Sequence, residues 1–327
     1  MNVAALRPLD SSNYVPHALH SASRTWAESN CYIDVWIEVL HVLGCDPHAC
    51  LGFVLGLDWE GDQFTFFKPP HDDLTTLYGV DVQELTVYRS LAVNALEMLQ
   101  RGKLVLAEAD AFFLPDTTGT DYRRQHTKTT IGIQEMDLAA RTLGYFHNGS
   151  YHVLGPDDFT SLFRIDAPPD PAFMPFFAEF VRTNRVVRMP ATMLRHRSVE
   201  LLAKHLARRP DDNPIVRFAA AFALELDRLQ GEGLEGYHLY AFASIRQLGS
   251  AFELAALYLR WLSDLGEPGL DESACQFIAI SNAAKSLILK GARTVATRKP
   301  VDVAPLLTEI ERAWADGVGR LALHYGV

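Results

Sequence analysis

The stretch RIDAPPDPAFMP, residues 164–175, is where the character of the chain changes. Prolines this dense support neither a helix interior nor a central strand, so the segment reads as a break. Ahead of it, short apolar and alternating runs mix with one early helical pattern. After it, almost every segment carries the 3.6-residue period of an amphipathic helix. The break therefore predicts two domains, 1–168 and 169–327, in an α+β chain. The first domain has an antiparallel sheet and the second is all-helical.

Working outward from the break confirms the contrast. Downstream, SVELLAKHLARR, PIVRFAAAFALELDRLQ, HLYAFASIRQLGSAFELAALYLRWLSDL, DESACQFIAISNAAKSLILKGARTVAT and VAPLLTEIERAWADGVGRLALHYG read as helices separated by Gly, Pro and Asp clusters. Upstream, TLGYFHNGSYHVL and HTKTTIGIQEMD look like consecutive strands, and KLVLAEADAFFLP like a buried one. Residues 81–101 predict a helix ending at Gly102. Residues 31–43 predict another, with Ile33, Trp36, Ile37 and Leu40 on one face, Asp34, Glu38 and His41 on a different face, and Gly44 as its stop.

The chain has 327 residues, is 48% hydrophobic and carries a formal charge of -10, which gives it a substantial core and an acidic surface. An acidic surface argues against sequence-independent binding of nucleic acid, which requires phosphate neutralisation. Four cysteines in a chain this long do not form a disulfide framework, and neither a leader nor a membrane-spanning apolar run is read. The expectation is a cytoplasmic protein with reduced thiols, no membrane association and no nucleic-acid partner. Cys45, His48 and Cys50 lack the second pair of ligands that a zinc site requires, so no metal is expected.

Chemistry enters with Cys31, the first residue of the early helix. A helix N-terminus offers unpaired N–H groups and the positive end of the dipole, both of which favour a thiolate. A helix-leading cysteine is also a common packing residue. The order of residues strengthens the functional reading: His126 opens a later strand, and Asn148, with His147 beside it, follows at the end of the next one. Cysteine, histidine and asparagine in that order match papain-like sites, where an amide fixes the imidazole tautomer. HNG is equally a good turn sequence. Asn30 and Glu28 are placed to line the site, and Glu108 and Asp110 to bind an incoming amine or to form the polar face of an edge strand. The basic runs Arg182, Arg185, Arg188, Arg195, Arg197 and Lys285, Lys290, Arg293, Arg298, Lys299 read as solvated faces or as docking patches for an anionic partner.

The segments NCYIDVWIEVLH, ADAFFLPDTTGTDYRRQHTKTTIGI and LGYFHNGSYHVLGPDDF, in this order and followed by a helical half, resemble the bacterial domain-of-unknown-function family 1839. More remotely, the early cysteine, the DAFFLP strand, the histidine heading the next strand and the YFHN strand are similar to the acyltransferase of butirosin biosynthesis. That resemblance implies a papain-like N-terminal domain and transfer of an acyl or aminoacyl group from a carrier-protein phosphopantetheine thioester to an amine. Cys31 would be the nucleophile and His126 its base. Phosphopantetheine would arrive on the acyl carrier protein, so no resident cofactor is implied. A cysteine amidase or peptidase and a non-catalytic binding protein on the same fold are the alternative expectations.

Overall fold

The computed structural model describes residues 2–168, 170, 173–174, 176–299 and 301–327. By its contacts the chain forms two units. The first comprises Met1–Ser21, Asn30–Pro47 and Leu74–Arg188, the second Ala22–Ser29, His48–Asp73 and Met189–Val327. The fold is α+β, as the sequence patterns predict, but the expected boundary at 168/169 moves. The chain returns after the proline-rich break to lay one more strand into the sheet, and stretches of the N-terminal half belong to the helical unit. Pro169, Pro171, Ala172 and Pro175 of the break lie outside the described residues.

In chain order the elements bearing on the first unit are β1 (Val3–Ala4), α1 (Cys31–Val42), α2 (His71–Tyr78), β2 (Asp81–Glu84), α3 (Leu91–Gln100), β3 (Lys103–Asp110), β4 (Lys128–Asp137), β5 (Thr142–His147), β6 (Ser150–Leu154), α4 (Pro156–Leu162) and β7 (Ala178–Arg182). The strands form one antiparallel sheet in the order β2-β7-β3-β4-β5-β6, with β1 paired to β4. Expected strands are present at β3, β4 and the β5–β6 hairpin. The helix expected over 81–101 is instead strand β2 followed by α3. The register of β2 on β7, Asp81 opposite Arg182 through Glu84 opposite Glu179, shows why. The strand is specified by a partner about a hundred residues away, which local periodicity does not reveal.

Strand alternation assigns the two faces of this sheet. Val105, Ala107, Ala109, Ile131, Ile133, Leu143, Tyr145 and Leu154 pack with Ala92, Ala95 and Leu99 of α3 and Phe159 and Leu162 of α4 in one apolar cluster. On the opposite face lie Leu106, Glu108, Asp110, Thr130, Gly132 and Phe146, and α1 packs there against β4 and β5. Gly132 is what lets the helix approach: a Cβ at this position would come within 2.9 Å of the Val35 side chain. Helix α1 is capped by Asn30, whose Oδ1 accepts from the amides of Tyr32 and Ile33. Its expected polar face is buried: Asp34 and Glu38 are 1% and 0% exposed.

The second unit holds α5 (Ala191–Leu206), α6 (Pro214–Ala241), α7 (Gln247–Asp264), α8 (Asp271–Thr297) and α9 (Ala304–Tyr325). A π-helical turn over Phe242–Arg246 joins α6 to α7, and Gly233 interrupts α6 with non-helical torsions. Earlier segments complete its core. Trp59 and Phe64 pack edge-on and tilted against Phe218, at ring-centroid distances of 5.1 and 5.3 Å, and the Trp26 indole donates to Ser281 Oγ. Among the described residues no helix is long and apolar enough to cross a membrane.

Candidate active site

Asn30 places Cys31 at the first position of α1. Because the cap spends its side-chain oxygen on the next two amides, the Cys31 amide is the donor left over, and among the described residues nothing accepts from it. Asn30, expected to bind substrate, serves through its Oδ1 as the helix cap. The Cys31 thiol is partly exposed and donates to Thr130 Oγ1 at 3.7 Å, on the α1 face of the sheet.

His126 lies on the segment leading into β4, off the end of the same face. Its Nδ1 is 2.6 Å from Asp110 Oδ2, and its ring stacks on Phe112 with centroids 4.4 Å apart. The side chain is 68% exposed, and among the described residues Nε2 takes no hydrogen bond. A carboxylate on Nδ1 holds the proton there and leaves Nε2 as the basic nitrogen. Asp110, expected to meet a substrate amine, is therefore the group that orients His126. Asp110 faces Lys128 across the β3–β4 register and Glu108 faces Thr130, so the dyad sits one two-residue step from the Cys31 level, roughly 7 Å along the strand. The imidazole makes no hydrogen bond to the Cys31 sulfur. Glu108 is engaged on both oxygens, by Lys128 Nζ at 2.8 Å and the Phe177 amide at 3.4 Å.

The expected third member of the triad is corrected. His147 and Cys31 lie on opposite faces of the sheet, since Phe146 points toward α1 and the next residue must point away. His147 is 2% exposed, with Nδ1 2.5 Å from Asp116 Oδ2 and Nε2 2.8 Å from Thr129 Oγ1. Tyr145 also donates to Asp116 at 2.5 Å. Burial alone would raise the Asp116 pKa, but the hydrogen bond and charge of His147 outweigh it and hold the carboxyl below its usual range. This network pins the segment between β3 and β4 from the inner face. Asn148 takes the hairpin turn between β5 and β6 with φ 47°, a left-handed conformation that asparagine tolerates.

A second polar cluster, which residue order alone did not single out, lies along α1. His20 Nδ1 is 2.5 Å from Glu38 Oε1 and its Nε2 3.3 Å from Asp34 Oδ1. The Tyr14 hydroxyl and the His17 amide also donate to Glu38. Burial opposes the charge on His20, but the two carboxylates win and push its pKa up to about 9. The available signal was two carboxylates four residues apart in an apolar helix, which must be paired if buried.

A family model described as DUF1839 N-terminal domain matches residues 15–183, and one described as DUF1839 C-terminal domain matches residues 191–323. The gap between the two matches brackets the structural boundary at Arg188. No curated protein matches the chain. The two models together span nearly all of the sequence, and the chain belongs to the DUF1839 family.

Proposed function

We propose that the first unit is a cysteine acyltransferase, in which Cys31 accepts an acyl or aminoacyl group from a carrier-protein phosphopantetheine thioester and passes it to an amine. The observation that carries this reading is a helix-leading thiol with its own amide unclaimed, on the same sheet face as an imidazole oriented by Asp110 with Nε2 open. Cys31 gives its proton to solvent and its thiolate attacks the thioester carbonyl, the Cys31 amide supports the oxyanion, and the C–S bond to phosphopantetheine breaks as the leaving thiolate takes one proton back from solvent. The amine then attacks the Cys31 thioester, gives its proton to His126 Nε2, and the Cys31 thiolate leaves. In this reading His126 serves the donor and acceptor bound between it and Cys31, and the helix terminus activates the thiol. The acidic carrier would dock through exposed arginines. A reducing, cytoplasmic setting belongs to the same reading, and among the described residues the cysteines form no disulfide.

A binding protein with an inert thiol is the second reading, favoured by one observation: the residue in reach of the Cys31 sulfur is Thr130, which is no base. Intact-protein mass spectrometry after incubation with a panel of acyl-phosphopantetheine thioesters separates the two. Acyl transfer requires an adduct on wild type that Cys31→Ala lacks. The absence of any adduct, with Cys31 still alkylated by iodoacetamide and so accessible, overturns it. A product that is acid rather than amide under amine excess makes the protein a hydrolase.

A further inference from the structure

At the far edge of the first unit's sheet, Gly79, Asp81, Arg182, Asn184 and Arg185 line a cavity of about 260 Å³. Its charges are unbalanced. Arg182 stands directly opposite Asp81 on β2, but also directly opposite Lys103 on β3. Like charges facing each other across a ladder are destabilising unless something else uses them. Both cations lie over the Phe180 ring, Lys103 Nζ at 4.6 Å and the Arg182 guanidinium carbon at 5.0 Å from its centroid. Arg185 makes no direct ion pair among the described residues, and its charge reaches Asp81 only at longer range.

Hydrogen bonds from Gln83 and Arg182, with the charges of Arg182 and Arg185, hold the Asp81 carboxyl below its usual range, so one carboxylate faces two guanidiniums. Asp81 Oδ1 accepts from Gln83 at 2.7 Å and its Oδ2 from one terminal nitrogen of Arg182, which leaves the other guanidinium donors available. The wall bearing Arg185 is fixed. The Val187 amide donates to Tyr78 O at 2.9 Å and Arg188 Nε to Leu43 O at 2.8 Å, and the Arg185 carbonyl passes so close to Gly79 that a Cβ there would sit 2.2 Å from it. Gly79 has φ +67°, so this close approach and the left-handed torsion both call for glycine.

We propose that this cavity binds the phosphate group of a phosphorylated small molecule, with Arg182 and Arg185 as the phosphate ligands, Asp81 as the residue that positions Arg182, and Lys103 adding charge. Two guanidinium forks on fixed backbone match the tetrahedral oxygens of phosphate. The site is independent of Cys31 and goes beyond acyl transfer.

Isothermal titration of the full chain at physiological ionic strength, with inorganic phosphate, phosphopantetheine, pantetheine and glycerophosphocholine, tests it. Saturable one-to-one binding of phosphopantetheine or inorganic phosphate is expected, with none for pantetheine. Binding of glycerophosphocholine in place of both identifies a phosphodiester as the group recognised. Arg185→Ala, at an exposed position with no direct ion pair to lose, should weaken binding about tenfold while leaving the melting temperature unchanged. Arg185→Lys should recover part of the loss, and Cys31→Ala should bind as wild type does. Failure of every phosphate probe to saturate, or equal binding by Arg185→Ala, overturns the proposal, and neither result bears on the Cys31 adduct experiment.

Discussion

At the scale of single residues, the site turns on which group holds which imidazole. Asp110 holds His126 and Asp116 holds His147, on opposite sides of one sheet, so the two histidines have different work although both carry a carboxylate partner. If the Asp110–His126 dyad takes the proton from the acceptor amine, Asp110→Asn should slow aminolysis of a preformed Cys31 thioester by about 10²-fold or more, the range a positioned base contributes. Alkylation of Cys31 by iodoacetamide, which involves no acceptor, should be unchanged. Asn148→Gly keeps the positive φ of the turn and should leave both rates alone. Equal loss of aminolysis in the Asn148 and Asp110 variants would restore the asparagine as the orienting group.

At the scale of elements, α1 is held by more than its apolar face. The segment carrying Tyr14, His17 and His20 is clasped to Asp34 and Glu38, and a charged His20 between two buried carboxylates is the electrostatic centre of that clasp. A folded pKa of about 9 against an ordinary 6.5 means that His20 stabilises the fold fully below pH 6.5 and that this contribution disappears as pH rises through about 9. Hydrogen exchange of residues 14–20 and of the first turns of α1 should therefore accelerate between pH 7 and 10 beyond the intrinsic base catalysis. In His20→Gln that excess should vanish. A wild-type profile following intrinsic rates alone would show the cluster to be neutral. The helix itself was legible, because its apolar spacing and glycine stop are local, although its Asn30 cap reads in the sequence as a site residue; so were β3, β4 and the hairpin. The clasp was not, since Asp34 and Glu38 look solvated until a distant histidine covers them. Nor was Asp110 as the partner of His126, which depends on the β3–β4 register, while the face of His147 followed from strand parity once the strand was placed.

At the scale of the molecule, the chain does not divide where its composition changes. Strand β7 follows the proline-rich break yet sits between β2 and β3, and long-range pairing of this kind leaves no mark in local periodicity. A fragment ending at residue 168 would leave β2 unpaired and β3 with a bare edge. The helical part has the reciprocal dependence. Buried Glu253 is satisfied by the amides of Thr25 and Trp26 and by Arg24, and Phe218 by Trp59 and Phe64, all from before residue 74. Removing those segments strands a buried carboxylate and forfeits burial worth roughly 1.5–3 kcal/mol for each large apolar side chain. Expressed alone, residues 169–327 should keep helical far-UV circular dichroism but lose near-UV signal, bind a hydrophobic dye and melt without a cooperative transition, as a loosely packed state does. The full chain should melt cooperatively under the same conditions. A monomeric 169–327 fragment with a sharp melt and no dye binding would show that the helical unit closes its core without the N-terminal segments, and that the proline-rich break is a true domain boundary.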